Sequence, residues 1–349
     1  MLGPSGETDR PQANIYYDDD ASVDLLDGQT IAIIGYGNQG RSQALNLRDS
    51  GVSDVIVGNR EDGSWETARS DDFEVYSMGE AAQRADIVLL LIPDEVMPAV
   101  YESSIEPELD TGDAVSFASG YNITYDFIDP KDGLDVIMVA PRMIGQAVRD
   151  TYESGEGAPA LVAVEQDATG NAQARALAVA KGIGATRSGA IESTFEQETI
   201  VDLLSEQAMG PILFNAMRAK YEVELAAGIP PEIILTELYL SREAEHTRRK
   251  MAEMGLVGQL SLHSQTSQYG QLSQSQEFSH DALKDFVEDR FEEIMDGTFA
   301  REWKCEQAAG YPSFKRLMET ARQSDFIQDE QRTMERLGLG TDATDSGEE

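Results

Sequence analysis

The run Gly35-Tyr36-Gly37-Asn38-Gln39-Gly40 has the residue types and spacing to cradle a pyrophosphate. In a Gly-x-Gly-x-x-Gly turn the first glycine permits the tight turn, the second lets the backbone approach the phosphates, and the third lets helix and strand pack closely. The phosphates then meet unpaired amides at the positive end of a helix. Such a run means little by itself. Here it follows the apolar segment Thr30-Ile31-Ala32-Ile33-Ile34 and opens a helix-like stretch from Arg41 to Asp49, which is the strand–turn–helix context that gives it a function. The ribose is read at the end of the next strand, Gly58-Asn59-Arg60-Glu61-Asp62-Gly63-Ser64-Trp65. Arg60 and Ser64 suit the 2′-phosphate of NADP, whereas Glu61 and Asp62 suit the free 2′-hydroxyl of NAD. We read the cofactor as NADP, with NAD as the alternative.

The elements that must hold this loop alternate. Val55–Gly58, Ile87–Pro93, Ala114–Ala118, Val136–Pro141 and Leu161–Val164 are further short apolar runs, and a helix is expected from Asn171 to Lys181. Continuous apolar strands separated by helices predict a parallel sheet covered on both faces, an α/β Rossmann-type domain. From about Thr194 the pattern becomes helical. Leu203-Leu204, Met209, Leu213, Met217, Tyr221 and Leu225 recur at spacings of three and four, and no strand run interrupts to about Arg336. The stretch from Ser261 to Ser279 is rich in Gln and Ser and reads as a loop or a polar helix face. The division expected is a flexible extension over 1–14, the Rossmann domain over 15–193, an all-α C-terminal domain over 194–336 and an acidic tail over 337–349.

A chain of 349 residues fits two domains, and 41% hydrophobic residues can fill both cores. No apolar run approaches the roughly 20 residues that span a bilayer, and the start lacks a signal peptide's regions, so a cytoplasmic protein is expected. The one cysteine, Cys305, excludes an internal disulfide and a Cys-rich metal site. The 64 Asp and Glu against 27 Lys and Arg give a formal net charge of -37. That field repels phosphate backbones and anionic lipid, which argues against nucleic-acid and membrane partners. Because the carboxylates are scattered, the acidity fits a halophile's cytoplasm, where molar salt shortens the screening length to about 3 Å.

Over residues 15 to 335 the sequence resembles the ketol-acid reductoisomerases, of the short-chain type. The strings that carry this are Ala32–Gly40, Leu91-Ile92-Pro93-Asp94-Glu95-Val96, Asp135–Pro141 and Gly297-Thr298-Phe299-Ala300-Arg301-Glu302-Trp303, in that order. The resemblance implies a Rossmann domain followed by a knotted helical domain. It also implies a homodimer or higher oligomer sharing its active sites, a small keto or hydroxy acid substrate, and Mg²⁺ held by carboxylates. In that scheme divalent cations polarise substrate oxygens while an alkyl group migrates, and the nicotinamide then delivers hydride. Pro93 and Asp94 are implied beside the cofactor, Asp202 and Glu206 as the first metal carboxylates, Glu237 as a glutamate given by the partner, and Ser264 as the contact to the substrate carboxylate.

The departures from the family's pattern fall on chemistry. Ser241 stands where a second partner glutamate is expected, and serine is a weak ligand for a hard cation. On a continuous helix neither Glu243 nor Glu245 would take its place. Ser119, in Ser119-Gly120-Tyr121-Asn122, stands where the family has a histidine. Arg142, in Pro141-Arg142-Met143-Ile144-Gly145-Gln146, stands where it has a lysine and keeps the charge. Of the three histidines, His246 and His280 read as surface residues, and His263 borders Ser264. Losing a carboxylate, a histidine and a lysine together predicts weakened isomerisation beside an intact hydride-transfer apparatus. The expectation is therefore a reductase of a small 2-keto or 2-hydroxy-3-keto acid. The alternatives are a conventional reductoisomerase acting on 2-acetolactate in branched-chain amino-acid biosynthesis, and an inert nucleotide-binding paralogue.

Overall fold

The computed structural model describes residues 10–340, so the first nine residues of the expected extension and residues 341–349 of the expected acidic tail lie outside the described part. The chain divides into two compact units, one ending at Asp202 and the other beginning at Leu203.

The first unit is built on one nine-stranded sheet: β1 (Ile15–Tyr16), β2 (Ile31–Ile34), β3 (Val55–Gly58), β4 (Glu74–Tyr76), β5 (Ile87–Leu90), β6 (Ala114–Phe117), β7 (Asp135–Pro141), β8 (Ala160–Gln166) and β9 (Ala190–Glu192). Their order across the sheet is β1-β9-β8-β7-β6-β5-β2-β3-β4. The strands from β7 through β6, β5, β2, β3 and β4 are all parallel, as the apolar runs predict. Alternate residues of a strand point to opposite faces. Ile31 and Ile33 accordingly pack with Ala44 and Leu47 of the helix Asn38–Asp49 and with Ala176 and Ala180 of the helix Ala172–Gly182. Ala32 and Ile34 pack on the other face with Ala81 and Ala82 of the helix Met78–Arg84 and with Ile105 and Phe117. Both faces of β2 are fully buried, and each isoleucine taken out of water contributes about 1.5–3 kcal/mol.

Three strands escape the sequence reading, and so does the direction of two pairings. β1, β4 and β9 have two or three residues, too few for a period to register. β8 runs antiparallel to β7, and β1 antiparallel to β9, so the sheet is mixed where a wholly parallel one was expected. An apolar run carries no sign of its direction, and the half-exposed pattern along β8 matches a strand near the antiparallel margin.

The second unit is helical throughout its described length: Gly210–Ala226, Pro231–Leu235, Glu243–Met254, Gln265–Gln274, His280–Met295, Thr298–Ala308, Pro312–Arg322 and Asp325–Leu337 are α-helices. Its buried cluster is small, with Tyr221, Ile234, Leu235 and Phe326 at the centre. Tyr221 donates to Asp329, and Tyr239 to Glu330, each tying its helix to the last one. Val223, Ile233, Leu256, Tyr269, Phe278 and Leu317 are left exposed. The Gln- and Ser-rich stretch forms a short helix, with Ser264 as its N-cap accepting from the amide of Ser267 at 3.3 Å.

Candidate functional site

Ligands of an open parallel sheet bind outside the carboxyl ends of its strands, where the winding direction reverses. Here that point lies between β2 and β5. The residues that follow β2, β5, β6 and β7 are the glycine run, Pro93-Asp94, Ser119-Gly120 and Arg142, so the sheet's topology brings four separate sequence strings to one edge.

At the end of β2 the three glycines answer to three different demands. Gly35 has φ +93, and a Cβ there would stand 2.6 Å from Ile92 Cγ2 and 2.8 Å from the Leu91 carbonyl oxygen. Only glycine takes that turn. At Gly40 a Cβ would lie 1.9 Å from the carbonyl oxygen of Gly35, which is why the helix can start so close to the strand. At Gly37 a Cβ would meet nothing within 4 Å: this face of the loop is open. Gly37 is also the N-cap of the helix Asn38–Asp49 and offers no side chain to its first amides. The helix begins three residues earlier than the sequence pattern indicates, because the loop residues Asn38 and Gln39 are polar and give no apolar period. Tyr36 is buried, its amide donates to Asn59 Oδ1 at 3.2 Å and its hydroxyl donates to Asp71 Oδ2 at 2.9 Å. Burial first, and then that carboxylate, push the Tyr36 hydroxyl above its ordinary pKa.

At the end of β3, Asp62 accepts from the Ser64 amide at 2.9 Å and the Trp65 amide at 3.3 Å, capping the helix Gly63–Ser70. It also accepts from Asn59 Nδ2 at 2.9 Å and from Arg60 Nε at 2.6 Å. Burial pushes this carboxyl upward, but the bonds from Arg60, Trp65 and Ser64 together outweigh it and hold Asp62 below its ordinary value. Arg60 otherwise reaches into solvent, with 73% of its side chain exposed. Of the four residues with opposed implications for the ribose, Asp62 is thus committed to the loop, while Arg60 keeps donors free to turn outward.

A second centre lies at the ends of β6 and β7. The Arg142 guanidinium donates to Glu198 Oε1 at 2.6 Å through one terminal nitrogen and to Asp202 Oδ1 through the other. The amide of Gly120 donates to the second oxygen of Glu198 at 2.6 Å. Glu198 is 1% exposed. Burial, the largest influence, raises its pKa, with Asp202 adding to the rise and Gly120 and Arg142 opposing it. Gly120 has to be glycine: a Cβ would stand 2.2 Å from the Phe195 carbonyl oxygen on the helix Phe195–Leu204 that carries both carboxylates. Nearby, the buried Asn122 donates to the carbonyl oxygen of Asp94 at 3.2 Å and to its Oδ1 at 3.1 Å. Glu198 was not picked out from the sequence: it stands four residues before Asp202, a spacing that puts two like charges on one helix face, and the arginine that pairs with both is 56 and 60 positions away.

The remaining expected site residues lie on the helical unit. Glu206 and Glu237 are exposed, on the π-helical turns Ser205–Met209 and Thr236–Leu240. Such turns recur at functional sites. Ser264 is exposed at its cap position, and Ser241 is exposed, with its hydroxyl accepting from the Glu243 amide at 3.4 Å. The helix assumed through Glu237, Glu243 and Glu245 is not continuous, because Arg242 takes φ 63 and restarts it. His246 and His280 are exposed, as expected, and His263 Nε2 lies 3.2 Å from Gln259 Oε1.

The Mg²⁺ implied by the resemblance meets a poor donor set here. Asp202 already holds a guanidinium, and a cation brought to the same carboxylate would face repulsion of about 4 kcal/mol per unit charge at 4 Å. Among the described residues no group of three or more His, Cys, Asp or Glu is gathered to hold a metal ion.

The open glycine loop at the switch point of a Rossmann-like sheet defines a dinucleotide-binding protein of the kind found among NAD(P)-dependent oxidoreductases. The model of the acetohydroxy acid isomeroreductase NADPH-binding domain matches residues 25–189, and that of the ketol-acid reductoisomerase C-terminal domain matches residues 195–337. The chain belongs to the ketol-acid reductoisomerase family. It is 46% identical over 315 residues to a putative ketol-acid reductoisomerase 3 of Saccharolobus solfataricus, covering 89% of this chain and 94% of that one. It is 46% identical over 313 residues to the NADP(+) ketol-acid reductoisomerase of Pyrobaculum neutrophilum, covering 89% and 95%. Among solved structures, an NADH-preferring ketol-acid reductoisomerase from an uncultured archaeon superimposes with a TM-score of 0.87 at 36% identity, covering 92% of this chain and 98% of that one. Among the described residues no helix is long and apolar enough to cross a membrane.

Proposed function

We propose that this oxidoreductase reduces a small 2-keto or 2-hydroxy-3-keto acid with NAD(P)H, and that alkyl migration is its weak step. The observation that supports this is the contrast between the two centres: the glycine loop is open at Gly37 and closely packed at Gly35 and Gly40, while the carboxylate centre is closed on Arg142. When bound, the nicotinamide would supply hydride to the substrate's carbonyl carbon, whose oxygen would take up the π pair and a proton from solvent. Gly35, Tyr36, Gly37, Asn38, Gln39 and Gly40 are assigned to the pyrophosphate, Pro93 and Asp94 to the nicotinamide side. Arg60 and Ser64 are assigned to a 2′-phosphate, which favours NADP over NAD. Glu237 and Ser264 are assigned to the substrate through a homodimer, for which the exposed apolar residues of the helical unit provide surface. Asp202, which Arg142 engages, Glu206 and Glu237 are the carboxylates assigned to a cation. We also propose the domain division at residues 193 and 194, and a cytoplasmic, high-salt setting for the acidic surface.

A second reading, a conventional reductoisomerase converting 2-acetolactate, is favoured by the names of the relatives that share nearly half the sequence over nearly all of it. The purified protein is incubated in molar KCl with NAD(P)H, with and without Mg²⁺, and with either 2-acetolactate or 3-hydroxy-3-methyl-2-oxobutyrate. Oxidation of NAD(P)H by the second compound with little turnover of the first is expected. Robust turnover of 2-acetolactate establishes the conventional reading instead, and nucleotide binding without oxidation across a panel of keto acids establishes an inert paralogue.

A further inference from the structure

We propose that the Arg142 guanidinium, and not a divalent cation, is the electropositive group that receives the substrate's carbonyl oxygen in this enzyme. The proposal rests on the reductase reading and deepens it.

Three observations converge on Arg142. It is the residue that directly follows β7, at the carboxyl edge of the sheet where the open glycine loop also lies. Its orientation is fixed from two sides, by Glu198 and by Asp202, so that it stands in a preset direction without help from a ligand. Glu198 is fixed in turn by the Gly120 amide, and Gly120 by its close contact with the Phe195 carbonyl. An arginine has five N–H donors in a rigid plane. Two are used on the carboxylates, which leaves three on a side chain that is 31% exposed. Preset donors that need no reorganisation are what stabilise charge developing on an oxygen.

The same geometry opposes the alternative. Asp202, the carboxylate that a cation would have to share, is bonded to Arg142. Lysine, a single point charge, cannot make the two-pronged bridge to Glu198 and Asp202 that the planar fork makes.

The test uses the full-length enzyme in molar KCl and reads metal binding and turnover separately. Mn²⁺ is titrated while free Mn²⁺ is followed by its electron paramagnetic resonance, and NAD(P)H oxidation by 3-hydroxy-3-methyl-2-oxobutyrate is measured before and after chelation. The wild type is expected to leave millimolar Mn²⁺ free and to keep its rate after chelation. Arg142→Gln, which releases Asp202, is expected to bind Mn²⁺ at least tenfold more tightly than the wild type and to lose at least about a hundredfold in kcat/KM, the size of effect seen when one preorganised oxyanion donor is removed. Asp202→Asn keeps the guanidinium and is expected to retain more activity than Arg142→Gln, which guards against a folding defect in the first variant. Micromolar Mn²⁺ binding by the wild type, or a rate abolished by chelation and restored by metal, overturns the proposal. Failure of every keto acid to oxidise NAD(P)H sinks the reductase reading instead, and the Mn²⁺ titration still decides whether Arg142 has displaced the metal.

Discussion

Gly37 and Gly40 belong to the same loop, yet substitution by alanine is expected to fail in two different ways. At Gly40 the new Cβ would lie 1.9 Å from the Gly35 carbonyl oxygen and 2.9 Å from its carbonyl carbon. Ordinary contact starts near 3.4 Å, so the helix must retreat by 3.4 − 1.9 = 1.5 Å, and both partners are backbone that cannot rotate away. Overpacking of this kind costs about 1–3 kcal/mol. In a unit of this size each 1 kcal/mol lowers Tm by roughly 2–4 °C, so Gly40→Ala is expected to melt roughly 2–12 °C below the wild type. The displaced amides are those assigned to the pyrophosphate, and a misplacement of about 1 Å can cost about a hundredfold in turnover. Gly37→Ala puts its methyl into open space at φ −83, a conformation alanine accepts. Its Tm without nucleotide is expected to stay within about 2 °C of the wild type, because substitutions clear of packing change stability by only about 0.5 kcal/mol. Its loss is expected to show only when nucleotide is added. Thermal melts with and without NADPH, and titration of nucleotide fluorescence, read the two effects apart. Wild-type affinity in Gly37→Ala would refute the assignment of that open face to the pyrophosphate, and an unchanged Tm in Gly40→Ala would refute the close contact.

Asp71 accepts from Arg41 Nε at 2.7 Å and from the Tyr36 hydroxyl at 2.9 Å, and these partners, Arg41 first, hold it below its ordinary value of 3.8. A depressed carboxyl contributes stability above its unfolded pKa and loses it as pH falls through the folded one. Wild-type Tm should therefore fall more steeply than that of Asp71→Asn below pH 3.8, and parallel melting curves would refute the clamp. Glu198 has the opposite sign. Its raised pKa favours the folded state at low pH, and that contribution fades as pH rises from 4.5 through the folded value, a slope that Glu198→Gln should flatten in Tm measured against pH. With a net charge of -37, Tm should rise as KCl goes from low to molar concentration, where the screening length shrinks from about 30 Å to 3 Å; a flat salt profile would refute self-repulsion as the dominant electrostatic effect.

What the sequence makes legible follows physical range. β2, β3, β5, β6, β7 and β8 are long and apolar enough to register as runs, and the glycine loop joins its function to a local strand–turn–helix order. β1 exists because it pairs with β9, Ile15 with Ile191, across most of the first unit, and β9 because it lies between β1 and β8; nothing local marks either. The same holds at the second centre. Arg142 is visible as a departure from a pattern, but its bridge to Glu198 and Asp202 joins residues 56 and 60 positions apart, and only the fold creates it. The break at Arg242 is a backbone event at a residue type that rarely takes positive φ, so helix geometry extrapolated from Glu237 to Glu245 describes a helix the chain does not form.

The segment from Pro141 to Gly145 ties the two centres together. Arg142 engages the carboxylates, the carbonyl of Met143 accepts from Gln39 Nε2 at 2.9 Å, and Gly145 packs so tightly on the glycine loop that a Cβ would stand 2.3 Å from the Asn38 carbonyl carbon. Five consecutive residues thus fix the loop assigned to the nucleotide and the guanidinium assigned to the substrate to the end of one strand. A rigid link of this kind favours hydride transfer, which needs a defined approach between two bound molecules and little else from the protein. It also predicts that Gly145→Ala impairs both nucleotide affinity and the KM for keto acid. A defect confined to either one would show that the segment holds one centre and not both.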